Sequence, residues 1–221
     1  VGGDMRGGFF LVAYALPFSF AYVSLTTGTG ALILFGCVQA TMMAVGISRG
    51  ERPHLLRWLG GALAAAGLVA LVLPGVSAPS PFGAALMAIS GVAWGLYSLH
   101  GKGATDPLAA TTGNFIRAAL ACMALGSLLL LGSYEVSLDA LGVALAVASG
   151  ALTSGMGYAI WYAVLPSLSA STAAIVQLTV PVIAAILGVL FLREVPSLRL
   201  ILSSVLVLGG VALAILPRQS R

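Results

Sequence analysis

The stretch that decides the fold is residues 140–192, ALGVALAVASGALTSGMGYAIWYAVLPSLSASTAAIVQLTVPVIAAILGVLFL, 53 residues without one charged side chain. A membrane-spanning helix needs about 20 predominantly apolar residues. The run therefore predicts two spans, with Pro166–Ser169 as the turn between them. Two more charge-free runs, Gly7–Ser48 and Trp58–Gly101, hold 42 and 44 residues and read the same way. Across all 221 residues, 60% are hydrophobic and 7% charged, with a mean hydropathy of +1.09. A soluble domain carries charge on about a quarter of its residues. Lipid is the solvent that suits this chain.

Turn residues cut the apolar runs into spans near 8–25, 29–48, 55–73, 82–100, 107–131, 138–164, 170–191 and 198–216. The expected fold is an all-α polytopic transmembrane helix bundle. The breaks between spans are short, as hairpin loops of a compact bundle are.

An internal repeat organises these spans. Displaced by 143 residues, Ser24–Pro74 aligns without a gap on Ser167–Pro217. Glu51 and Pro53 meet Glu194 and Pro196, Gly67 meets Gly210, and Leu73-Pro74 meets Leu216-Pro217. Equivalent spans are five helices apart, an odd number, so the two copies must cross the membrane in opposite senses. The spans near 82–131 have no partner in the chain. On this reading the parent protein carries roughly 60 further residues and two further helices, giving inverted five-helix repeats of which eight spans are seen of an expected ten. Residues 1–77 are then the last three helices of the first repeat, and 78–221 the complete second repeat.

The net charge of +4 invites a nucleic-acid reading, but the basic residues other than Arg117 sit in or beside short loops and at the chain ends, not in a patch. They report topology. Arg6, Arg49, Arg52, Arg57, Lys102, Arg218 and Arg221 fall on one side, against Arg193 and Arg199 on the other. The positive-inside rule puts the first side, with both ends of the chain, in the cytoplasm. No nucleic acid, metal or cofactor is expected. HExxH, Gly-Lys-Ser phosphate loops, CxxC and paired intramembrane aspartates are all missing from the sequence. Cys37 and Cys122 lie in apolar runs and read as small packing residues.

Few side chains are left to carry chemistry. Arg117 is the one charge deep in a span, and such a charge must face protein or water. It either meets an anionic group of a solute, or snorkels to the interface or bonds to carbonyls of a neighbouring helix. Asn114 stands one turn earlier on the same face. Trp94 and Tyr97, Tyr158 and Trp161, and Gln177 lie on stripes spaced by three and four. There they either line a solute path or pack between helices. Pro181 removes a backbone donor in mid-helix and permits a kink. No Asp or Glu lies mid-membrane. Glu51 and Glu194 open matching helices, where a carboxylate favours the N-terminal dipole.

Several of these segments together resemble the drug/metabolite transporter superfamily, specifically its EamA-like ten-helix exporters. Gly91-Val-Ala-Trp94-Gly-Leu-Tyr97-Ser with Lys102 is similar to the first helix of that family's repeat, and Asn114-Phe-Ile-Arg117-Ala-Ala-Leu to its second. Ser171-Thr-Ala-Ala174 through Pro181 to Arg193-Glu194-x-Pro196, then Gly209-Gly210-Val, resembles the fourth and fifth. Gly28-Thr-Gly-Ala31 through Gly50-Glu51-x-Pro53 is a weaker first copy, with Val38 where Pro181 stands. The resemblance implies two inverted five-helix units, a cavity between them, and export of amino acids or similar metabolites. Its partners would be a small-molecule solute and membrane lipid. Two other function classes fit the composition: a membrane enzyme acting on lipid-type substrates, and a non-transporting partner subunit.

Overall fold

The computed structural model describes residues 2–50, 54–73, 75, 78–101, 104–131, 139–164 and 170–215, and omits the side chains of 129–131, 159, 161–163 and 170–178. The elements are α1 (Met5–Ala21), α2 (Thr27–Ser48), α3 (Leu55–Val72), α4 (Pro81–Gly101), α5 (Pro107–Leu131), α6 (Ala140–Ala148), α7 (Gly157–Val164), α8 (Ala170–Leu192) and α9 (Leu198–Ile215). Among the described residues, five helical stretches are long and apolar enough to cross a membrane: Thr27–Ser48, Leu55–Val72, Pro81–Gly101, Pro107–Leu128 and Leu198–Ile215. Shorter apolar stretches are Met5–Ala21, Ala140–Met156 and, as the part of α8 whose side chains are described, Thr179–Leu192. The protein is a polytopic all-α membrane bundle, with helices at the places the turn residues predict.

One span differs from expectation. Between α6 and α7 the chain is π-helical over Ser149–Met156. The segment SGALTSGM is almost bare of large side chains, and the Thr153 hydroxyl donates to the Ser149 carbonyl at 2.6 Å. Small residues leave a widened turn unopposed, and hydroxyl back-bonding loosens the ordinary ladder. Apolar periodicity alone could not signal it.

The chain divides into two compact units, residues 1–12 with 100–169, and residues 13–99 with 170–221. In the second unit, Ala21, Leu25, Leu32, Ile33, Leu71, Met87, Leu200 and Val207 form a buried apolar cluster. Large apolar side chains elsewhere, such as Leu190, Phe191 and Leu198, stand exposed as lipid-facing groups do.

Repeat-equivalent helices pair with each other in this unit. Shifted by 143 residues, the bounds of α2 and α3 fall on 170–191 and 198–215, beside those of α8 and α9. The most extensive pairing among the described residues is α3 with α9, and α2 lies against α8. Both pairs run antiparallel. A Cβ on Gly60, early in α3, would strike the Gly210 carbonyl late in α9; one on Gly210 would stand 2.5 Å from the Gly60 carbonyl. At the other end, Arg199 in the first turn of α9 donates to the Leu73 and Leu71 carbonyls that end α3. Its charge there suits the negative end of the α3 dipole. Small residues at Gly60, Ala64, Gly210 and Ala214 let the two backbones touch, which replaces the absent hydrophobic drive between helices in lipid.

Candidate functional site

Within the first unit, Arg117 and Asn114 come together against the start of α1. The Arg117 Nη1 donates to the Gly2 carbonyl and to the Gly113 carbonyl, each at 2.9 Å. The Asp4 N–H donates to Asn114 Oδ1 at 2.8 Å, and Asn114 is buried. Glycines make the approach possible: a Cβ at Gly7 would collide with the Asn114 amide, and one at Gly8 would lie 2.9 Å from the Arg117 Cβ. One guanidinium nitrogen thus bonds to carbonyls, one in its own helix α5 and one in the segment before α1, rather than to those of a neighbouring helix. Among the described residues, Nε and Nη2 of Arg117 are not engaged, and they form the side-on edge that grips a carboxylate bidentately.

Asp4 completes this corner. Its carboxylate accepts from the Gly7 N–H at 2.7 Å, capping α1, and lies 2.9 and 3.0 Å from Nε2 of His100 in the last turn of α4. The Gly7 hydrogen bond, with His100 adding to it, outweighs burial and holds the carboxyl below its usual range. The Phe10 ring meets His100 edge-on at 6.0 Å. Further along, Tyr158 of α7 packs T-shaped on Phe115 of α5, centroids 5.4 Å apart. A cavity of about 360 Å³ beside Gly2 is lined by Asp106, Leu108, Ala109, Thr112 and Ile116. It contains none of the residues the sequence singled out.

Within the second unit, Trp94 and Tyr97 of α4 belong to an aromatic cluster that the sequence reading took only in part. Trp94 lies 4.9 Å from Tyr14 and 5.6 Å from Tyr97 by ring centroids. Tyr14 continues to Phe18 at 5.3 Å and Phe18 to Tyr22 at 4.8 Å. Tyr97 is buried and Trp94 half-buried. Ser90, fully buried on the same face, donates to the Tyr14 carbonyl at 2.7 Å. The missed signal was plain: Phe10, Tyr14 and Phe18 recur every four residues along α1, and Tyr22 keeps the spacing just past its end.

Pro181 lies inside α8 and is buried. The side chains of Trp161 and Gln177 fall outside the described atoms, as do Glu51 and Lys102 altogether. Glu194 departs from its expected place. It does not serve its own helix α9: its carboxylate accepts from the Thr27 N–H at 2.8 and 3.0 Å and from the Thr27 hydroxyl at 2.8 Å, at the first residue of α2.

Comparison with known proteins decides the family. The EamA-like transporter family matches residues 81–216, from the first residue of α4 to beyond the last described residue of α9. The chain belongs to the EamA-like transporter family. This EamA-like transporter is also 51% identical over 220 residues to an uncharacterized protein of Pseudomonas aeruginosa, covering 99% of this chain and 75% of that one. No solved structure matches it. The match places Trp94, Tyr97, Asn114, Arg117, Tyr158, Trp161, Gln177 and Pro181 all inside the family region of the transporter.

Proposed function

We propose that this EamA-like transporter exports small polar or amphipathic metabolites such as amino acids, by alternating access. The observation that carries the finer reading is Trp94 held between Tyr14 and Tyr97 in a membrane-spanning helix. Trp and Tyr prefer the membrane interfaces, where their polar tips are wet. Packed against Tyr14 of α1, with Tyr97 buried behind it, the half-buried Trp94 of α4 offers an apolar ring to the hydrocarbon part of a solute. Arg117 supplies a donor edge for an anionic group, with Asn114 holding that corner in shape. Tyr158, Trp161 and Gln177 are the further pathway residues that the sequence assigns, and Pro181 supplies the hinge in α8.

Efflux from proteoliposomes preloaded with a labelled mixture of amino acids tests this. The protein accelerates loss of at least one of them, and Trp94→Ala slows that loss about ten-fold, the value of one stacked ring. If no amino acid leaves faster than from empty liposomes, the solute class is wrong. A parental rate in Trp94→Ala removes that residue from the path.

The same proposal sets the transporter in a bacterial-type inner membrane with both ends of this chain in the cytoplasm, on the seven-to-two bias of basic residues. In a background with Cys37 and Cys122 changed to Ala, a membrane-impermeant maleimide on intact cells should modify Ala78→Cys. It should reach Thr105→Cys only after permeabilisation. The reverse pattern overturns the orientation.

A further inference from the structure

The two antiparallel pairs of the second unit are built differently, and the difference has a use. Between α3 and α9 the contact is close backbone packing, Gly60 on Gly210 and Gly67 on Val207, with the Arg199 hydrogen bonds to the Leu71 and Leu73 carbonyls holding one end. Between the start of α2 and the end of α8 the contact is polar. Glu194 receives three hydrogen bonds from Thr27, which satisfy an N–H that α2 leaves unpaired at its first residue.

The surfaces under this polar contact are smooth. A Cβ on Gly28 would meet the Ala185 Cβ at 2.9 Å, and one on Gly188 would meet Glu194 Oε2 at 2.5 Å and the Thr27 Cβ at 3.2 Å. The two helix ends therefore touch without interlocking side chains. Four residues before Ala185 stands Pro181, whose missing N–H leaves the carbonyl of residue 177 without its helical partner. The segment of α8 beyond it is joined to the rest of the helix by a weakened turn. At the far end, Arg193 holds φ at +54°, the only positive φ of a non-glycine residue among those described, and this turn presents Glu194 to Thr27. A backbone held in that region costs energy and persists where it serves a purpose.

We infer that Glu194 is a positioning residue of the transport cycle: its contact with Thr27 is the latch that closes α2 against α8 on their shared membrane face. When the latch parts, the end of α8 swings on Pro181 while the α3–α9 seam stays shut. Both freed groups then gain water, since Glu194 is half-buried and stands in a turn between helices. The closed and parted forms are thereby kept close in energy, as alternating access requires. This rests on the transporter reading, but it concerns motion and needs no solute to test.

The experiment places spin labels at Val23→Cys and Val195→Cys, both exposed, with Cys37 and Cys122 changed to Ala, in the protein in nanodiscs. Distances are read by double electron–electron resonance. The parent should show two distance populations. Glu194→Gln, which loses the charge and one strong acceptor, should raise the ratio of the longer to the shorter population about ten-fold. Should Glu194→Gln fail to fold, Thr27→Val removes the hydroxyl alone and should shift the ratio the same way by a smaller factor. A single population in the parent means a static cap and overturns the inference. Two populations with an unchanged ratio in the variants overturn it as well. Neither result touches the efflux measurement, so failure of the latch and failure of the transporter reading are separable.

Discussion

Alanine at Gly210 destabilises the protein by roughly 3 kcal/mol, at the upper end of what overpacking costs, whereas alanine at the adjacent Gly209 leaves stability within about 0.5 kcal/mol of the parent. The contrast comes from what each new methyl would meet. At Gly210 it would lie 2.5 Å from the Gly60 carbonyl, 2.6 Å from the Ala64 nitrogen and 3.1 Å from the Ala64 Cα. All three are backbone atoms of α3, which cannot step aside as a side-chain tip does. At Gly209 nothing stands within 4 Å. Relief at Gly210 would require α3 and α9 to separate along the most extensive pairing among the described residues. The same sign is expected at Gly60, whose Cβ would strike the Gly210 carbonyl. Thermal unfolding in detergent, followed by size-exclusion chromatography, measures both variants side by side. Equal melting temperatures for Gly209→Ala and Gly210→Ala would show that the seam is not close-packed.

Arg117→Gln should lower export ten- to a hundred-fold while the protein still inserts and folds, because charge-assisted hydrogen bonds are worth about 1.5–3 kcal/mol each. Nη1 is committed to the Gly2 and Gly113 carbonyls, which orients the guanidinium plane. The edge formed by Nε and Nη2 is the one proposed to take the solute. Arg117→Lys keeps the charge but has no planar fork, so it should restore part of the rate and not all of it. The two roles of the side chain separate in a paired measurement of efflux and melting temperature. If Arg117→Gln melts early but exports at the parental rate per folded molecule, the residue only anchors α1 and the assignment fails.

Much of this protein was legible one residue at a time. The three charge-free runs fixed a membrane bundle, because no packing scheme hides that much apolar surface from water. Turn residues located α2, α3, α8 and α9, and the 143-residue offset matched the bounds of the first pair to those of the second, since helix ends are written in local turn chemistry. Trp94, Tyr97, Asn114 and Arg117 were singled out because unusual residue types in a span are few. Tyr14, Phe18 and Tyr22 were passed over, although their spacing of four was visible, because aromatic residues in an apolar helix do not stand out until a partner helix shows which face they share.

What the sequence by itself determined, then, was the solvent and the order of the apolar spans, while the odd offset between copies gave the expectation of opposite crossing senses. Those properties follow from hydropathy, turns and counting, which are local or additive. Only the tertiary structure decided that Gly210 and not Gly209 faces α3, that Arg199 caps α3, and that Glu194 serves the first residue of α2, 167 positions away. A carboxylate reaches whichever unpaired N–H lies nearest in space, and a glycine matters only where another backbone arrives. Both depend on how helices pack, and packing joins residues that the sequence keeps far apart.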